Sequence, residues 1–155
     1  MDKQNEDKVQ IKTEEILVLH ANLDDMTGEA LGFAQERLWD SGALDVYTTP
    51  IFMKKNRPAT MLSCICKPEK KMECIETFLR YTTTLGVRIE SMERCSMERT
   101  IEVKETSFGK IRIKKASYGE NPGIHKWKAE YEDLRKIALE HGISLQEVER
   151  SLEES

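Results

Sequence analysis

No apolar stretch in this 155-residue chain approaches the roughly 20 residues that a helix needs to cross a bilayer. The N-terminus, MDKQNEDKVQ, is charged and has no apolar h-region, so no secretory signal is read there. Cysteine is sparse: Cys64, Cys66, Cys74 and Cys95 lack the density of a secreted disulfide scaffold, and reduced thiols are the default. There is no Ser-His-Asp order, no Walker loop, no GxGxxG, no internal repeat and no low-complexity linker. Lysine and arginine (24) fall short of aspartate and glutamate (28), a net charge of -4, which argues against a protein that coats nucleic acid but leaves room for a local basic patch. These absences point to a cytoplasmic globular protein with no membrane and no nucleic-acid partner.

What is present is periodic. Hydrophobic residues make up 39% and charged residues 34%, yet the apolar ones fall in blocks that a disordered chain would not show. Residues 1–13 read as a disordered tail. Ile16–Ala21 is an apolar run of strand length. The turn after it leads into a helix whose stripe is Ala30, Phe33, Ala34 and Leu38, with Ser41-Gly42 as its stop. Residues 43–53 and 60–66 read as strands, Pro68 opens a second helix with Met72, Ile75 and Leu79 as its stripe, and 85–89 reads as a fourth strand. That order, βαββαβ, predicts an α+β, ferredoxin-like core over about residues 15–90. Residues 100–105 and 110–115 flank a turn and predict a β-hairpin. Two C-terminal helices follow: one with Tyr131, Leu134 and Ala138 as its stripe and Gly142 as its stop, and a short one with a Ser144/Glu147 capping box. In the short helix Leu145, Val148 and Leu152 call for something to pack on.

Five short segments carry possible chemistry, each with a plainer structural reading beside it. Asp24 and Asp25, at a strand end and a helix start, are hard oxygen ligands suited to Mg²⁺ or Mn²⁺; the plainer reading, which spacing alone favours, is a helix cap at Asp25 with a solvated Asp24. Lys54, Lys55, Asn56 and Arg57 form a cationic loop before Pro58, suited to a triphosphate or simply to a soluble hairpin tip. Thr82–Arg88 offers hydroxyls, amides and a guanidinium for phosphate oxygens, or β-branched residues favouring strand entry. Cys64 and Cys66 share one strand face, where thiolates hold soft metals such as nickel or zinc and thiols fill a core. Lys126–Asp133 places Trp127 and Tyr131 among charges, an aromatic platform for a base or an acid-rich helix start. An RNA-binding domain of the same topology is disfavoured, because strands 44–53 and 60–66 lack its aromatic stacking pair.

The wording of these segments is more specific than their types. Asn22-Leu23-Asp24-Asp25-Met26-Thr27, Gly42-Ala43-Leu44-Asp45-Val46, Thr49-Pro50-Ile51-Phe52-Met53-Lys54-Lys55-Asn56-Arg57-Pro58, Thr82-Thr83-Thr84-Leu85-Gly86-Val87-Arg88 and Glu130-Tyr131-Glu132-Asp133 occur in that order. In this the chain strongly resembles the C-terminal domain of the LarC family, the nickel-insertion proteins (nickel cyclometallases) of nickel-pincer cofactor biosynthesis, over roughly residues 14–150.

The resemblance implies a CTP-binding domain at 14–155 and a CTP-dependent reaction. Pyridinium-3,5-bisthiocarboxylic acid mononucleotide is cytidylylated with the help of a divalent ion. Nickel, a substrate, is then inserted, with release of CMP and pyrophosphate. It also implies a homo-oligomer and an N-terminal LarC domain, joined in cis or supplied in trans. On the matched motifs, Asp24 and Asp25 are expected to hold Mg²⁺ or Mn²⁺ on CTP. Lys54, Lys55, Asn56 and Arg57 would bind its phosphates, with Thr83, Thr84 and Arg88 assisting. The alternative is a non-catalytic nucleotide-sensing and oligomerisation module of a larger complex. The chain departs from the family pattern at Tyr81, where a Glu is usual, at Leu134, often Cys, and at Ala129 and Gly28, where Pro is common.

Overall fold

Alternation within the first apolar run decides which way the chain faces. In the computed structural model, which describes residues 12–119 and 123–153, strand β1 spans Lys12–Leu23. Its Leu17, Leu19, Ala21 and Leu23 share one face and enter the core, as a side-chain period of two requires. Residues 1–11 lie outside the described residues; Lys12 and Thr13, expected in the tail, are the first residues of β1.

Residues 13–94 form one compact unit and the chain from Cys95 onward belongs to another. In the first, helix α1 (Gly28–Asp40) starts at Thr27, whose Oγ1 accepts the Ala30 amide at 3.2 Å. Strands β2 (Asp45–Met53) and β3 (Arg57–Cys66) make a hairpin in the register Met53↔Arg57. Pro68 opens a short 3₁₀ turn into α2 (Lys71–Tyr81), and β4 (Arg88–Ser96) closes the sheet. The strand order is β2-β3-β1-β4, with β3 antiparallel to both neighbours, the ferredoxin-like arrangement expected from the element order. The core is Leu17, Leu19, Leu38, Leu62 and Phe78 together with Cys64, Cys66 and Cys74.

The stripe of α2 sits one position away from expectation, whereas Ala34 and Leu38 of α1 are buried as the spacing predicts. Cys74 and Phe78 are the buried pair of α2, while Met72 and Leu79 are 65% and 48% exposed. Cysteine behaves here as a small hydrophobe and completes an i, i+4 pair with the largest side chain of the helix. In α1 the buried residues are Ala34 and Leu38, and Phe33 is exposed. Leu85, expected to begin a strand, is fully exposed in the loop before β4.

The second unit carries β5 (Glu98–Thr106), β6 (Gly109–Tyr118), β7 (Ile124–Ala129), α3 (Tyr131–His141) and α4 (Leu145–Glu153). The expected hairpin is therefore part of a three-stranded antiparallel sheet, β5-β6-β7. Strand β7 escaped the pattern because Ala129 is its only buried residue. Ile111 and Ile113 pack with Leu134 and Ile137 of α3 and with Val148 and Leu152 of α4, so the last helix has its core within this unit. Local chemistry ends α3 and starts α4. Gly142 takes a left-handed conformation (φ 65°), Ser144 N donates to Glu147 Oε2 at 2.8 Å, and Glu147 N donates to Ser144 Oγ at 3.2 Å.

Candidate functional site

One end of the four-stranded sheet gathers most of the residues singled out from the sequence. At that end β1 and β2 finish while β3 and β4 begin, so residues 22–25, 54–57 and 82–88 come together from distant parts of the chain. Arg57 Nη1 lies 3.6 Å from Asp24 Oδ2. Thr83 Oγ1 donates to Asp25 Oδ1 at 2.5 Å. Arg88 Nη2 donates to Asn22 Oδ1 at 2.9 Å and touches Met61 Sδ at 3.7 Å. Asn22, which sequence reasoning passed over, is thus the anchor of Arg88, a role set by strand pairing rather than by any local signal.

The hairpin tip is built differently from a relaxed turn. β1 pairs with β3 only as far as Leu23↔Thr60, whereas the β2–β3 pairing continues to Met53↔Arg57. The tip therefore projects beyond the end of β1. Lys55 and Asn56 both have positive φ, 60° and 55°, a left-handed region that Asn tolerates and Lys enters uncommonly. Lys54 and Lys55 are exposed and make no ion pair among the described residues. A strained backbone thus holds two ammonium groups that the chain itself does not neutralise, beside a guanidinium that it neutralises in part.

Not every candidate points into this cluster. Thr84 Oγ1 donates to Gly86 O at 2.7 Å and serves its own loop, and Thr82 Oγ1 caps α2 by donating to Phe78 O at 2.7 Å. Tyr81, at the position where a Glu is usual, packs edge-on against Phe33 with ring centroids 5.7 Å apart, a packing role with no carboxylate chemistry. Leu134 is a core residue of the second unit.

Cys64 and Cys66 do not form a metal site. Both are fully buried with Cys74 in the core, and among the described residues no group of three or more His, Cys, Asp or Glu is arranged to hold a metal. Interaction with Cys74 and burial push the Cys64 thiol up, and burial first of all raises Cys66 to about 12. Both stay protonated and inert. One polar line was invisible in the sequence: Ser63 Oγ lies 2.8 Å from His20 Nδ1, and His20 Nε2 lies 3.7 Å from Glu90 Oε2. It resembles a nucleophile–base–acid order, but Ser63 is wholly buried, so it serves as a cross-strand tie.

A model of the family described as nickel insertion protein matches residues 3–149. The chain belongs to that family. The nickel insertion protein of Acetivibrio thermocellus, named for pyridinium-3,5-bisthiocarboxylic acid mononucleotide, is 42% identical over 135 residues, covering 87% of this chain and 32% of the relative. The equivalent protein of Geobacillus kaustophilus is 41% identical over 142 residues, covering 88% of this chain and 33% of its own length. This family member therefore spans about a third of the curated relatives it matches. Among solved structures it is similar to LarC2, the C-terminal domain of a cyclometallase involved in the synthesis of the NPN cofactor of lactate racemase. That likeness has a TM-score of 0.83 and 36% identity, covering 91% of this chain and 96% of the other. Chain and fold agree that this is the C-terminal, LarC2-type part of a nickel insertion protein.

Proposed function

We infer that this domain is the CTP-handling part of a nickel insertion enzyme that acts on pyridinium-3,5-bisthiocarboxylic acid mononucleotide. The observation that carries the reading is the strained cationic tip, where Lys54 and Lys55 have no ion-pair partner among the described residues and Arg57 stands 3.6 Å from Asp24 of the β1–α1 turn. Lys54, Lys55, Asn56 and Arg57 bind the triphosphate, and Arg88, fixed by Asn22, adds a second guanidinium. Asp24 and Asp25 fit a Mg²⁺ or Mn²⁺ ion as part of a donor set, because such ions take one or two carboxylates and fill the rest with phosphate and water oxygens. The ion supplies charge neutralisation on the phosphates. Catalysis by these side chains is then positioning and charge stabilisation at phosphorus as pyrophosphate leaves, with the substrate itself as acceptor. Nickel enters as a substrate. An N-terminal LarC domain, in cis or in trans, completes the enzyme, and the domain works as a homo-oligomer.

Calorimetry of CTP with Mn²⁺ tests this. Lys54→Ala/Arg57→Ala is expected to weaken binding at least about tenfold, the cost of losing one or two charge-assisted contacts. Unchanged affinity removes the assignment. Conversion of CTP to CMP and pyrophosphate by this chain with the pyridinium substrate supports an active domain. Binding without turnover supports the non-catalytic sensing module instead, a reading favoured by the engagement of both carboxylates within the chain.

A further inference from the structure

One edge of the four-stranded sheet is β4, which pairs only with β1 in the order β2-β3-β1-β4. A sheet edge is a template for a further strand, and proteins blunt it with lysine, proline, bulges or short length. The other edge, β2, carries Pro50. Strand β4 is nine residues long, has neither lysine nor proline, and is exposed throughout residues 88–93. Its Glu90, Met92 and Arg94 share one face, as a period of two requires. There Glu90 Oε2 lies 3.7 Å from His20 Nε2, and Arg94 Nη2 donates to Glu14 Oε1 at 2.7 Å, so both charges reach inward to β1. The other face lies under α2. That helix sets Tyr81 against Phe33 of α1, and Cys74 lies 3.4 Å from Ser41 at the end of α1. Met72, Ile75 and Leu79 therefore lie on the flank of α2 turned away from α1. Because α2 joins β3 to β4 across β1, this flank is on the β4 side, and its Met72 and Leu79 are exposed.

We propose that β4 pairs with β4 of a second copy of this chain, antiparallel about a two-fold axis at Met92, so that the two sheets become one. The inference rests on the homo-oligomer reading above and gives it a surface and a symmetry. In an isologous pairing centred on Met92, residue 90 of each copy stands opposite residue 94 of the other. Glu90 thus meets Arg94 twice, Ser91 meets Glu93, and the two Met92 side chains meet on the axis. The Arg94 guanidinium has donors enough to keep Glu14 while receiving Glu90. Moving the axis one residue back, to Ser91, sets Arg88 against Arg94 twice, so the charges select the register. An axis through a residue also keeps even-numbered side chains on one face, which places the helices of both copies on the same side of the joined sheet. The two Met72 and Leu79 flanks then face each other across the junction. A single rotation answers both the charges and the apolar flank, and that self-complementarity identifies a second copy as the occupant.

Sedimentation equilibrium of the full chain reads the association, and an even-numbered oligomer is expected. Glu90→Arg and Arg94→Glu, each alone, should weaken it at least about tenfold, because each sets like charges opposite one another at two places. An equimolar mixture of the two variants should associate again, since opposite charges then face each other at both places. A test that does not depend on the Arg94–Glu14 pair uses cysteine in a Cys95→Ser background. Under mild oxidation Met92→Cys should give a covalent dimer, whereas Glu90→Cys should not, because its two copies lie far apart along the strands. A monomer at every concentration overturns the inference together with the homo-oligomer reading. An odd-numbered oligomer, unchanged association in both charge variants, or cross-linking at residue 90 as fast as at residue 92 overturns the inference alone. Protection of the β4 amides from hydrogen exchange only after an N-terminal LarC domain is added gives the edge to that domain and overturns it as well.

Discussion

Arg57 and Asp24 already face each other at 3.6 Å, so the guanidinium of the hairpin tip and a carboxylate of the β1–α1 turn are paired before any ligand arrives. In the proposed site, a bound triphosphate would draw Arg57 toward itself, and a divalent ion would take over Asp24. The two exchanges help each other, because each ligand releases the partner that the other needs. Asp24→Asn should therefore raise the affinity for CTP without metal and reduce the gain from adding Mn²⁺. Calorimetry with and without Mn²⁺ measures both. An identical metal gain in wild type and variant removes Asp24 from the metal site.

Lys55 and Asn56 hold left-handed conformations at the tip, and the cost for a non-glycine residue there is about 1 kcal/mol. Lys55→Gly should accordingly stabilise the fold by several tenths of a kcal/mol, after allowing for the extra freedom of glycine in the unfolded chain. The same change should weaken CTP binding by removing an ammonium. Urea unfolding and CTP titration of one variant check both. A variant that loses stability and keeps its CTP affinity contradicts the role of the strained tip.

The second unit has a pH-sensitive tie. Asp133 accepts from the Arg112 amide at 2.9 Å, from Nε at 2.9 Å and from Nη2 at 2.8 Å, and these bonds hold its carboxyl at about 2 against an ordinary 3.8. A carboxylate lowered on folding binds fewer protons in the native state, so its contribution to stability is full above pH 3.8 and is lost as pH falls through about 2. Asp133→Asn should flatten the dependence of stability on pH between about 4 and 2, and lower stability at neutral pH. Denaturation profiles of the two proteins across that window decide it.

The parts of this molecule written in local chemistry were readable from the chain. Gly142, Ser144 and Glu147 act within one turn of helix, and the βαββαβ order follows from short runs with clear stops. The cationic tip was readable for the same reason, since its four residues are consecutive. Long-range pairings were not. Nothing near Asn22 announces Arg88, and nothing near Arg112 announces Asp133, because strand register and helix placement create both contacts. Strand β7 hid because its hydrophobic residues are exposed, and the face of α2 was misjudged because Cys74 was not counted as apolar.

Access, rather than acidity, should govern the thiols. Cys64, Cys66 and Cys74 are fully buried, while Cys95 is exposed. Hydrogen bonding with Cys64 first and then with Ser41 draws the Cys74 thiol down to about 6, a value that would make an exposed thiol reactive. Enclosed by Phe78 and the sheet, it has no path to a reagent without unfolding. Iodoacetamide at neutral pH should therefore modify Cys95 alone in the native protein and all four cysteines in urea. Peptide mass spectrometry reads the sites directly. Native labelling of Cys74 at a rate near that of Cys95 would mean that α2 opens locally, and the core assigned to the first unit would need to be less tightly closed than its burial indicates.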